Sequence, residues 1–412
     1  MLVLYLIILI LTLILTKAKY KTLIKSNVLF TGMWCICSGI SSLGLYGLYK
    51  PSLVVHLYSI TAIFVFNLVF FIHNKTNLSR NTIQLVGEAR LLIIYFANII
   101  AWIYLSQFIP KAINIIKAFG LRGLRPYAFD SSLGFGTTKQ LLIVQWIVYS
   151  IFVATVLIAM IYSVMRKKHL LLNIFAVIDV ALYTFLFGGR YLIVRMLMFY
   201  LFAFLIVKSL ELEKLKVKNL NFVLIGILII MTIILTNLRN WGNTSFIENV
   251  VIYYTGSFTF LDVILSEFDW TTSPLFGTGM FGFIINFIHA LFALIFEVPY
   301  NSSSCQVITH FTGIPRFISP TVKYNAMTTM LYPFIRDFGF VGIIMGTSFL
   351  AWFISFVENK FKKSNSLLYL CLYVYLAFVL FDSVMSYQLL FPASGVTMGL
   401  LFIFIKSVKK GR

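Results

Sequence analysis

LLLNIFAVIDVALYTFLFGGRYLIVRMLMFYLFAFLIVK, residues 170–208, decides the fold class. Two apolar runs, near 170–188 and 191–209, flank Gly188, Gly189 and Arg190. A bilayer core about 30 Å thick takes about 20 residues of helix, and each run comes close to that length. The glycine pair between them reads as a tight turn joining two membrane-crossing helices.

The same pattern recurs along the chain. Of 412 residues, 60% are hydrophobic and only 11% charged, with a mean hydropathy of +0.95. Soluble domains carry about a quarter charged residues. The expected fold is therefore all-α, a polytopic integral membrane helix bundle. Eleven spans are predicted near 2–16, 28–49, 53–72, 91–109, 141–164, 170–188, 191–209, 220–237, 338–357, 366–384 and 393–406. The first has no basic segment before it and no small-residue cleavage site after it, so it reads as a retained helix.

Lysine and arginine set the sides, because short basic loops stay cytoplasmic. Runs at 17–25, 73–90, 166–168, 208–218, 360–363 and 406–412 hold 21 of the 33 Lys and Arg residues. Eleven spans place all six runs on one face, with the amino terminus outside and the carboxyl terminus cytoplasmic. The net charge of +20 then belongs beside an anionic leaflet, and nucleic acid is not an expected partner. The four cysteines show no disulfide framework or zinc spacing.

Three segments follow: 1–237 with eight spans, 238–330 as a large outer loop, and 331–412 with three spans and a basic tail. Within the first, 110–139 carries Ile113, Ile116 and Phe119 at helical spacing among Lys111, Lys117, Arg122 and Arg125. That reads as an interfacial helix touching lipid phosphates, or as a simple brace. Two apolar stretches in the loop, 250–266 and 279–297, either both cross, giving thirteen spans, or both lie on or dip into the membrane. Asp262 and the hydroxyls around it favour the second option. Long structured loops tend to carry function.

Ionisable groups inside a membrane are paired or functional. Asp179 and Arg195 lie in the sixth and seventh spans, about 13 Å and 9 Å below the glycine turn by helical rise, so a charge pair across the hairpin is feasible. Arg190, Arg239 and Arg336 stand at three outer span ends. A guanidinium meets phosphate oxygens with a planar fork, so several converging would clamp a pyrophosphate. There is no P-loop, no Gly-x-Ser-x-Gly, no Asp-x-Asp pair and no histidine set at metal-ligand spacing, so the expectation includes no metal or other cofactor.

The stretches FGGRYLIVR (187–195), YTGSFTFLDVIL (254–265) and YNAMTTMLYPFIRDFGFVG (324–342) resemble Wzy-type polymerases of O-antigen and capsular repeat units. The shared features are a Gly-Gly-Arg helix start, a large late external loop, and an Asn-x-x-Thr segment leading into Asp-Phe-Gly-x-x-Gly. Here the last comprises Asn325, Thr328, Asp337, Phe338, Gly339 and Gly342. Arg-x10-Gly repeats described for some members are missing, and roles tied to them are not transferred.

The resemblance implies a metal-independent, lipid-linked glycosyltransferase of GT-C-like layout in a bacterial cytoplasmic membrane, with its active site on the outer face. It would move a growing glycan from undecaprenyl pyrophosphate to a sugar hydroxyl of another lipid-linked repeat unit. A flippase and a chain-length regulator are the implied working partners. Arg190, Arg195, Arg239, Arg336, Arg316 and Lys323 form the expected binding set, with Tyr254, Tyr324 and Asn325 toward the sugars. The acceptor hydroxyl needs a base. Asp337 is the first candidate and His310 the second, followed by Asp262, Glu267 and Asp269. The rivals are a flippase for the same lipid, an O-antigen ligase, and a non-catalytic envelope scaffold.

Overall fold

The computed structural model describes residues 1–75, 85–128, 135–165, 169–209, 245–267, 269–296, 303–325 and 327–406. The predicted span at 220–237 and Arg239 lie outside them. The chain is a multi-pass membrane helix bundle, and the described strands are two-residue pairs. Among the described residues seven helices are long and apolar enough to cross a membrane, or eight if the bent pair Leu91–Ser106 and Ile109–Gly120 forms one.

Several predicted spans are shorter than expected. The 28–49 run is helical only over Ser26–Ser41, because Gly44, Tyr46 and Gly47 all take positive φ and close a turn. Leu367–Asp382 and Pro392–Phe404 have 16 and 13 residues.

The large loop departs most from expectation. Phe246–Glu267 is one continuous 22-residue helix with the length and composition of a span, whereas Gly282–Phe296 has only 15 residues. The polar groups that argued against crossing are satisfied by neighbours. Asp262 accepts hydrogen bonds from the backbone N–H and hydroxyl of Ser52, the residue before the Leu53–His73 helix. Thr259 donates to the Tyr49 carbonyl at 2.9 Å, and Ser257 to the Val384 carbonyl at 2.7 Å. Paired in this way, hydroxyls and a carboxylate fit a buried helix face.

The chain divides into two compact units. The first comprises residues 1–79, 244–363 and 376–394. It holds the Leu2–Tyr20, Ser26–Ser41, Leu53–His73 and Phe246–Glu267 helices, and Leu331–Ser364 down to residue 363. A small hairpin pairs Arg316 with Tyr324 and Phe317 with Lys323.

The second unit comprises 80–243, 364–375 and 395–412. Its axis is Tyr149–Val164, buried on nearly every face and entered through a π-helical turn at Val144–Val148. The start of that assembly is fixed by a capping box between Thr137 and Gln140. Ile109–Gly120 turns 49° away from Leu91–Ser106, and Gly120 breaks the helix at φ 70°.

Candidate functional site

The Leu331–Ser364 helix is broken at Phe338 and Gly339, inside the Asp-Phe-Gly-x-x-Gly segment. Gly339 takes φ 58° and ψ −136°, a conformation that strains any residue with a Cβ. At Gly342 a Cβ would lie 1.9 Å from the Phe334 carbonyl oxygen, so only glycine fits. Asp337 is fully buried, and its two oxygens accept the backbone N–H groups of Gly279 and Met280 at 3.0 and 2.7 Å. The motif thus builds a bend and fastens the 277–280 turn to it. Asp337 was the first choice for the base. A carboxylate with no exposure and both oxygens engaged does not reach an acceptor hydroxyl in this conformation.

One residue earlier, Arg336 points elsewhere. Its Nη1 donates to the Tyr332 hydroxyl, and its Nη2 donates to the carbonyl and hydroxyl of Ser273, all at 3.2 Å. It is 2% exposed and holds the 270s turn in place. Arg316, from the hairpin, stacks its guanidinium 4.5 Å over the Phe311 ring, and Phe311 stacks on Tyr332. Both guanidiniums act electrostatically on the Tyr332 hydroxyl. Two of the six expected basic residues therefore share one cluster. The convergence was expected of Arg190, Arg239 and Arg336; Arg190 belongs to the second unit and Arg239 lies outside the described residues.

Beside this cluster lies an open cavity of about 510 Å³. It is lined by Val54 and Tyr58 from one helix, Leu265, Ser266 and Glu267 from the end of another, Asp269, and Ile335 next to Arg336. Glu267 is 44% exposed and forms an ion pair with Arg316 Nε. Asp269 caps the short turn that follows it, Trp270–Thr272, through the backbone N–H and hydroxyl of Thr271 at 2.9 and 2.8 Å. Those two donors hold the Asp269 carboxyl below the usual aspartate range.

The other expected residues scatter. His310, Lys323 and Asn325 are exposed in the same unit, and Asn325 donates to the Gly313 carbonyl. Tyr324 is buried, with its hydroxyl on the Tyr253 carbonyl, so it offers no open ring face to a sugar. Tyr254 packs edge-on against Phe381.

Arg190 and Arg195 belong to the second unit. Arg190 is half-buried at the head of the Tyr191–Ser209 helix. Arg195 is buried with its guanidinium 4.7 Å from the Tyr191 ring centre and 5.3 Å from that of Tyr149. Asp179 accepts from the Trp102 indole N–H at 2.7 Å, and its other oxygen has no hydrogen-bond partner among the described residues. The two charges that looked ready to pair across the hairpin are thus taken by aromatic residues.

Tyr332, Phe311 and Ser273 were not foreseen. Tyr332 had a signal, since it precedes Arg336 by four residues and so shares its helix face. Ser273 had none, because a turn 63 residues away leaves no local pattern. Among the described residues no group of three His, Cys, Asp or Glu could hold a metal ion. No known protein family, curated protein or solved structure matches the chain.

Proposed function

We propose that this membrane protein is a polysaccharide polymerase. It transfers a growing glycan from undecaprenyl pyrophosphate to a sugar hydroxyl of another lipid-linked repeat unit. The observation that carries this is the cavity lined by Glu267 and Asp269 beside the Arg316–Tyr332–Arg336 cluster.

The chemistry needs a carboxylate base near the acceptor hydroxyl and fixed positive charge where a diphosphate departs. Electrostatic stabilisation of a leaving group is a dominant part of such catalysis. Arg316 is assigned to the diphosphate. Arg336 adds its charge through Tyr332 and keeps the cavity wall in place. Arg190 is assigned to lipid phosphate at the head of its own helix. The site faces the outside of a bacterial cytoplasmic membrane, with the amino terminus out and the carboxyl terminus in, and the reaction uses no metal.

A second reading has one observation in its favour. Asp179 is a fully buried carboxyl with one oxygen unpartnered among the described residues, in a helix long and apolar enough to cross the membrane, and transporters carry such groups. That reading is a flippase for the same lipid.

Purified protein given a synthetic undecaprenyl-pyrophosphate-linked repeat separates the two. The polymerase makes a ladder of lengthened products without nucleotide or added metal. A flippase moves the lipid across a vesicle and leaves its size unchanged, which would refute the polymerase.

A further inference from the structure

Glu267, which lines the cavity, forms an ion pair with Arg316 behind it, and they differ in how fully each is used. Arg316 Nη1 is held by the carbonyls of Phe311 and Ile314 at 2.9 and 3.1 Å, and Nε by Glu267. Its Nη2 makes no hydrogen bond among the described residues. The guanidinium is therefore fixed in place with one nitrogen, Nη2, uncommitted. Glu267 lies at the end of its helix, lines the cavity, and accepts from Arg316 through Oε2. The neighbouring acid, Asp269, is tied to its own turn by two donors. Of the two carboxylates lining the cavity, Glu267 is the one whose partner can be drawn away.

We infer that Glu267 is the general base of the transfer and that Arg316 holds it in reserve until a diphosphate arrives. This rests on the polymerase reading above. Without donor, the Arg316 Nε–H occupies Glu267 Oε2 and keeps that oxygen from an acceptor hydroxyl. A bound diphosphate accepts from Nη2 of Arg316, and the bond to Glu267 weakens.

Glu267 then takes the proton from the acceptor hydroxyl, whose oxygen forms a bond to the anomeric carbon of the donor sugar. The bond from that carbon to the diphosphate oxygen breaks. Its electron pair leaves on the diphosphate, beside Arg316, and the proton passes from Glu267 to solvent. The base becomes active only when the leaving group is seated, which keeps an activated acceptor from forming with no donor in place.

The test uses full-length protein in detergent and two readouts, turnover of a synthetic lipid-linked repeat and binding of undecaprenyl pyrophosphate. Positioned proton transfer contributes about 10²–10⁴-fold to rate, so Glu267→Gln should lower kcat at least about a hundredfold. The same variant should bind undecaprenyl pyrophosphate several-fold more tightly, because Arg316 no longer has a competing carboxylate. Glu267→Asp should recover part of the rate. Arg316→Ala should raise the KM for the donor more than it lowers kcat.

Opposite signs in rate and binding mark the shared arginine. If Glu267→Gln weakens binding along with rate, the pair is a structural brace and the inference falls. If it polymerises at the wild-type rate, the inference falls while the polymerase stands. If wild-type protein makes no polymer, the polymerase reading falls and takes the base with it.

Discussion

The two ends of the first unit each carry a glutamate with basic partners, and they treat it differently. At one end Glu358 is 1% exposed, with Lys25 Nζ at 2.6 Å and Lys362 Nζ at 2.8 Å on the same oxygen. Ser26 reaches its other oxygen, Lys25 sits 4.7 Å from the Tyr20 ring centre, and Lys362 donates to Asn74. That lock ties the turn after the first helix, the end of Leu53–His73 and the last turns of Leu331–Ser364. At the other end Glu267 is half-open to a cavity and has one guanidinium partner. In a chain this poor in acids, the saturated carboxylate is a structural tie, and the half-open one is the residue the proposal takes as base.

The largest effect expected from breaking that contrast is at the lock. Glu358→Gln leaves two ammonium groups buried together, and removing one partner of a buried pair costs about 3–5 kcal/mol. Thermal unfolding in detergent should show a large loss, and an unchanged midpoint would mean the lock is idle.

Gly342→Ala comes next. Its Cβ would clash with the Phe334 carbonyl, and overpacking costs about 1–3 kcal/mol. Asp337→Asn should cost about as much, because the amide accepts with one oxygen where the carboxylate used two. Turnover per folded molecule should survive. If turnover is lost at full stability, Asp337 is chemical after all and Glu267 is not the base.

The smallest effect belongs to Asp269→Ala, measured as stability against pH. Asp269 is held below its ordinary range, so its contribution is present above the unfolded value of about 3.9. It is lost as pH falls through the lower folded value. The difference between wild type and variant should therefore close in acid, and a difference that widens there would contradict the assigned cause.

Apolar run length made much of the fold legible. The helices at Leu2–Tyr20, Leu53–His73, Leu170–Phe187 and Tyr191–Ser209 lie close to where composition put them. Rotation about a helix axis was not legible. Depth below the Gly188–Gly189 turn suggested that Asp179 and Arg195 could meet, but depth says nothing about facing, and they turn to Trp102 and to Tyr149 and Tyr191.

The same limit applies to the candidate base. Successive helical residues point about 100° apart, so Arg336 reaches Ser273 while Asp337 reaches Gly279 and Met280. Asp262 weighed against a span for 250–266 because its Ser52 partner lies 210 residues away. The cavity acids were visible as candidates, but nothing local distinguished Glu267 from the others. That took the Arg316 hairpin, which folds back onto the end of the Phe246–Glu267 helix.

The most direct measurement is turnover per folded molecule for Glu267→Gln and Glu358→Gln, purified and assayed side by side with a lipid-linked repeat. Glu267→Gln is expected to keep its melting temperature and lose turnover, while Glu358→Gln melts early but turns over normally once corrected for folded protein. The opposite pattern, an unstable Glu267→Gln or an inactive but stable Glu358→Gln, would contradict the division between lock and base.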